Sequence, residues 1–127
     1  MAAPNLVNTS SVVPHTVSIT PADVARNTLV SAPSSNTTHK INTILVSNLD
    51  VSVSYNCVVE LLLTDGFTYR SIANNVTVPA NQTVTILDRS KSIYLLDTSV
   101  TGEAVSIHAQ SESANKLTFS CSYETLS

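Results

Sequence analysis

The side chains best suited to chemistry in this 127-residue chain are two cysteines, Cys57 and Cys121, and three histidines, His15, His39 and His108. Metal binding would need such residues in clusters, because short loops must bring several ligands onto one ion. No histidine here has a partner at that spacing, and no cysteine belongs to a C-x-x-C pair. His108 lies in AVSIHAQ beside Ser106 and Gln110, on the polar side of an alternating run, where a solvent-facing strand histidine is expected. Serines are abundant, but no G-x-S-x-G elbow marks a nucleophile. With Gly66 and Gly102 as the only glycines, no phosphate-cradling loop can be built. The carboxylates Asp88, Asp97, Glu103, Glu112 and Glu124 fall in turns or on polar faces and are read as solvated charges. These residues predict a protein with no catalytic site, no metal and no cofactor.

The cysteines sit on the apolar side of their segments, at a separation similar to the inter-sheet bridge of immunoglobulin domains. That likeness stops there. The chain has no tryptophan to pack on a bridge, and Phe119 stands where a corner tyrosine is expected. The first residues, MAAPNLVNTSSVVPHTVSITP, lack the charged and apolar regions of a secretory signal, so synthesis in a cytoplasm is expected. Both cysteines are accordingly read as buried, unpaired thiols behaving as small hydrophobes. The triplets at Asn8, Asn36, Asn75 and Asn81 match a glycosylation pattern but are read as turn and strand polarity.

Composition narrows the function classes. Charged residues make up 12% of the chain, about half the roughly 25% of ordinary soluble domains. Ser, Thr and Asn supply the polarity instead, and these neutral groups can be covered by a partner at lower desolvation cost than ions. The net charge is −3 and the six cations are scattered, which excludes the basic stripe of a nucleic-acid binder. No stretch is long and apolar enough for a membrane span. Sugar stacking is not favoured either, since most aromatics fall on sides that read as core. Phe67, Tyr69, Phe119, Tyr55 and Tyr123 are mostly of that kind, and Tyr94 alone has no obvious place.

The elements expected to carry these residues are strands. VSVSYNCVVELLL alternates Val51, Val53, Tyr55, Cys57, Val59, Leu61 and Leu63 against a largely polar side, predicting one long strand over 51–63. Asp65-Gly66 then predicts a tight type I′ hairpin into FTYRSIANNVTV, bulged near Asn74 and Asn75. KINTILVSN is apolar on both sides, with Ile41 and Leu45 on one and Ile44 and Val46 on the other. Pro79 to Asn81 is a turn, Asp88 to Lys91 a polar link, and LTFSCSYE alternates throughout. The expected fold is all-β, a single antiparallel sandwich over residues 15–127, with jelly-roll and immunoglobulin-like orders both open. The apolar side of 51–63 is expected to face LTFSCSYE across the core. Residues 1–14 carry no core pattern and are expected to form an extended arm.

MAAPNLVN, HKINTILVSN, VPANQTVTILDRSKSIYLL and LTFSCSYETLS together make the chain resemble the small β-rich virion structural proteins of tailed phages, marine and cyanobacterial ones especially. The resemblance covers nearly the full length and departs at DTSVTGE, where a short acidic-Gly turn would be expected. It implies a decoration, or cement, protein that binds the major capsid protein lattice, self-associates in the particle, and assembles in the host cytoplasm. A neck, tail or fibre subunit is the alternative. Ala2, Pro4, Asn5, Leu6, Val7 and Asn8 are the expected partner-binding residues, because an extended arm can add a strand to a neighbour's sheet edge.

Overall fold

A computed structural model of the chain describes residues 11–99 and 101–127. Nine strands carry it: β1 (Val12–Ile19), β2 (Asn27–Val30), β3 (Thr38–Asn48), β4 (Tyr55–Leu63), β5 (Tyr69–Val78), β6 (Thr83–Leu87), β7 (Ile93–Leu95), β8 (Ala104–Ser111) and β9 (Leu117–Leu126). A 3₁₀ turn, Arg89–Lys91, links β6 to β7, capped by the Asp88 carboxylate on the Ser90 amide. The sandwich is therefore all-β, as the alternation predicted.

All pairings are antiparallel. One sheet runs β1-β9-β3-β6, with β7 also pairing β3; the other runs β2-β8-β4-β5. Because β6 pairs Ile44–Ser47 and β7 pairs His39–Ile41 of β3, the two short strands act as one interrupted strand. Two sheets of four positions result, and every connection except the β4–β5 hairpin and the β6–β7 link crosses between them. This is the jelly-roll order, not the four-plus-three arrangement of immunoglobulin domains.

The core lies between the sheets. Phe119, Ile41, Ile44, Leu95, Ile107 and Leu117 are fully buried there. Cys57 and Val59 of β4 share it with Phe119 and Cys121 of β9, so the two alternating segments do face each other.

Five local readings are corrected. Val51 and Val53 are 78% and 46% exposed, and the strand begins only at Tyr55. The cause is Asp50, whose carboxylate accepts from the amides of Ser52 and Val53 and from the Tyr55 hydroxyl. Such a side chain offers the backbone an alternative to the ladder, so the alternation at 51–54 is spent on a loop. Asp65 does not adopt positive φ; Gly66 does, at 78°. The hairpin is thus longer than type I′, closed by the Gly66 amide on the Leu63 carbonyl and by the Asp65 carboxylate on the amides of Phe67 and Thr68. Phe67 is carried on its tip, 85% exposed rather than in the core.

In β3 the register against β9 slips between Ile41 and Thr43, leaving Asn42 as a bulge. The slip turns Ile41 and Ile44 both inward and leaves Leu45 partly exposed, so Ile41 and Leu45 do not share a face. Finally, Asp97 is a buried carboxylate, not a solvated one, and it accepts from the amides of Asn36 and Ser99. The expected bulge in β5 is present, with Asn75 at φ 57° and the register shifting against Cys57 and Val59. Asn36 and Asn81 also take positive φ, which accounts for their positions as turn chemistry.

Candidate functional site

Ala2, Pro4, Asn5, Leu6, Val7 and Asn8 lie outside the described residues. What the structure does describe is the place they lead into. Ser11 and Ser127 exchange both backbone hydrogen bonds, at 3.2 and 3.1 Å, and β1 continues from there along β9. Val12, Val13 and Pro14 therefore stand within a sheet strand. In an antiparallel ladder such pairs alternate, so Val12, Pro14, Thr16 and Ser18 turn their backbone groups to the open edge. Pro14 contributes a carbonyl there and no donor, and at an edge this costs no ladder bond. Among the described residues β1 is the edge strand of its sheet, with the backbone groups of Val12, Thr16 and Ser18 turned outward and Pro14 offering only its carbonyl.

Part of the outer face of the β1-β9-β3-β6 sheet is built from hydroxyls. Three cross-strand pairs tile it: Ser18 with Ser120 at 2.9 Å, Thr20 with Thr118 at 2.8 Å, and Ser47 with Thr83 at 2.8 Å. Leu45 sits among them, 36% exposed. The sequence places Ser and Thr at every second position because the inward positions are taken by Val17, Ile19, Phe119 and Val46. Hydroxyls that already satisfy one another can be covered at modest cost, since no ion must be stripped of water.

The opposite outer face, on β2-β8-β4-β5, has a different chemistry. Arg26 Nε donates to Glu60 Oε1 at 3.0 Å, and its guanidinium lies 3.6 Å from the Tyr69 ring centre. Tyr69 in turn meets His108 edge-on, with centroids 5.7 Å apart. His108 is half-buried, contacting Ser106 Oγ through Nε2 at 2.9 Å, so it is not the free surface histidine expected from its neighbours. Burial first, and the nearby Arg26 second, push its pKa below 6.5. The arrangement locks strands together; its charged and polar groups largely satisfy one another.

His15 and His39 meet at Tyr123 at one end of the sandwich. His15 stacks on the ring at 4.8 Å and His39 approaches edge-on at 4.9 Å, while Thr125 Oγ1 lies 3.0 Å from His39 Nδ1. Neither spacing nor composition revealed this pairing, because it depends on β1 and β3 flanking β9. Burial and the neighbouring His15 lower the His39 pKa. Cys57 and Cys121 are free thiols in the core, and burial pushes them up to about 11 and about 12. Thiols so held are not nucleophiles at neutral pH. Among the described residues no three His, Cys, Asp or Glu converge as a metal site would require. No helix among them is long and apolar enough to cross a membrane.

No protein-family model matches the chain. No curated protein matches it either. Solved structures from infectious bursal disease virus are similar to it. The viral particle matches at 11% identity and a TM-score of 0.46, over 93% of this chain and 31% of that one. The Gx strain matches at 13% identity and 0.46, over 93% and 33%. The VP2 protein in derived particles matches at 13% and 0.43, over 93% and 32%. The chain spans about a third of the length of these proteins. Its jelly-roll order rests on its own strand pairing.

Proposed function

We propose that the protein is a non-enzymatic virion structural protein, a decoration subunit that binds and stabilises a capsid lattice. The observation that carries this reading is the neutral hydroxyl face beside the open edge of β1, where Ser18, Ser120, Thr20 and Thr118 pair across strands. A surface of this kind favours broad contact with another protein over the capture of an ion or a charged polymer.

In this reading the hydroxyl face lies on the capsid, and the segment holding Ala2, Pro4, Asn5, Leu6, Val7 and Asn8 pairs with a strand edge of a neighbour. Many such contacts repeated over a lattice add by multivalency, so each can be weak. The test is co-sedimentation of the purified domain with bare capsids. Saturable binding at a ratio set by the lattice supports the proposal. A folded domain that stays in the supernatant rejects it, and a few-copy partner at the neck or tail then becomes the place to look. Removing residues 1–10 should abolish binding while leaving the thermal melt almost unchanged. Undiminished binding by that truncation removes the arm from the proposal.

A further inference from the structure

An open sheet edge offers its backbone groups to any chain that can pair with them, unless the edge is blunted by shortness, charge or a bulge. Among the described residues, three of the four edges of this sandwich are blunted. β2 is four residues long, and its register slips after Thr28. β6 and β7 are separated by the turn Arg89–Lys91, which carries two cations. β5 is interrupted by the bulge at Asn75 and carries Arg70. β1 differs from all three. Its eight residues pair with β9 without a slip, and none of them is Lys, Arg, Asp or Glu. Among the described residues no strand pairs its outer side, and Val12 and Val13 are 54% and 46% exposed at that edge.

We propose that β1 pairs antiparallel with β1 of a second copy about a two-fold axis at Thr16, joining the two β1-β9-β3-β6 sheets into one. The strand is suited to its own copy. Both strands then turn the same residues outward, as an antiparallel ladder requires, and no ion is brought into the contact. With Thr16 on the axis, the two Thr16 residues exchange both backbone bonds. Each Ser18 amide donates to the carbonyl of the partner's Pro14, so the donor that Pro14 lacks leaves only the Ser18 carbonyl unpaired. On the inner side, exposed Val13 meets the partner's Ile19, and His15 meets the partner's Val17. An axis at His15 would set two His15 rings against each other and Pro14 against Thr16 at the centre of the ladder. An axis at Val17 would leave Val12 and Val13 bare. The two-fold closes the assembly as a dimer and leaves no second β1 edge for a third copy. The dimer does not rest on the capsid reading, because it forms from this chain alone.

The full chain is examined by sedimentation equilibrium over its soluble concentration range. A reversible dimer, at twice the 13.5 kDa of one chain, is expected. In the dimer the amides of Thr16 and Ser18 should exchange slowly with solvent, and dilution should return them to fast exchange. Thr16→Pro removes an N–H that makes no ladder bond within the chain, so it should keep the dispersed amide spectrum and weaken the dimer by at least about tenfold. Thr16→Lys sets two charges against each other on the axis and reads the same loss if Thr16→Pro does not fold. Removing residues 1–10 should leave the dimer in place, in contrast to its expected effect on capsid binding. A chain that stays monomeric overturns the proposal. So does a dimer undiminished by the Thr16 variants, or one that appears only after residues 1–10 are removed.

Discussion

The two outer faces of the sandwich are made by the same strand alternation and yet are chemically opposite. On β1-β9-β3-β6 the part around Ser18, Ser120, Ser47 and Thr83 is neutral and paired by hydroxyl contact, with the charges Lys40 and Glu124 opposite each other further along β3 and β9. On β2-β8-β4-β5 they form a charged and aromatic cluster in which Arg26, Glu60, Tyr69 and His108 hold one another. A partner covering the first face displaces water from hydroxyls that keep their partners. Covering the second would strip water from an ion pair that a partner must then compensate. The difference teaches that exposure alone does not mark a docking face; the cost of desolvating what is exposed does.

The largest expected effect comes from the core that both faces share. Phe119→Ala should destabilise the domain by about 3–5 kcal/mol, the range for a truncated buried aromatic, and melts of the variant should show it whichever face is studied. A loss under about 1 kcal/mol would mean that β9 is not the centre of the sandwich. Next comes binding. Ser120→Lys places an unpaired charge in the middle of the hydroxyl face, and burying it should weaken capsid co-sedimentation by more than about a hundredfold, with little change in the melt. Equal loss from Arg26→Ala would erase the distinction between the two faces.

Smaller again is the contribution of Asn48, which ties one end of the sandwich together. Its Nδ2 donates to the carbonyls of Val53 and Val78 and its Oδ1 accepts from the Asp50 amide. Asn48→Ala should cost about 1–3 kcal/mol by orphaning those groups, read from urea midpoints.

Acid sensitivity should appear in two stages. The folded pKa values of His39 and His108 lie below 6.5, so the unfolded chain takes up protons more readily. Their contribution is therefore complete above pH 6.5 and is lost as the pH falls below it. Asp50, Asp65, Asp88 and Asp97 are held below 3.8, mainly by hydrogen bonds from nearby hydroxyls and amides. Their contribution is present above about pH 4 and is lost on further acidification. The double variant His39→Gln with His108→Gln should remove the first stage and keep the second. A wild-type midpoint that stays flat between pH 7 and pH 5 would refute the histidine part. The smallest effect is Arg26→Ala, at about 1 kcal/mol or less, since a partly exposed ion pair and its ring contact contribute little.

The hydroxyl face was legible in the sequence as a surplus of Ser and Thr at alternating positions, and its low charge already pointed to contact with another protein. The Arg26 cluster was not legible, because Arg26 and His108 come from segments far from the β4–β5 hairpin that carries Glu60 and Tyr69. The same holds for Tyr123 between His15 and His39. Asn42 gave no signal either. A bulge residue is identified by the partner strand's register, and KINTILVSN taken alone reads equally well without one.

The sequence by itself determined that the chain is built of strands, where most of them lie, and many of the residues that make the core. Those properties follow from period-two alternation and from turn asparagines and glycines, which act within a few residues. Tertiary structure decided the order of strands and the choice of jelly roll. It did so because β9 lies between β1 and β3, about seventy or more residues before it in the sequence, and a pairing over that separation is set by how the two sheets close on Phe119.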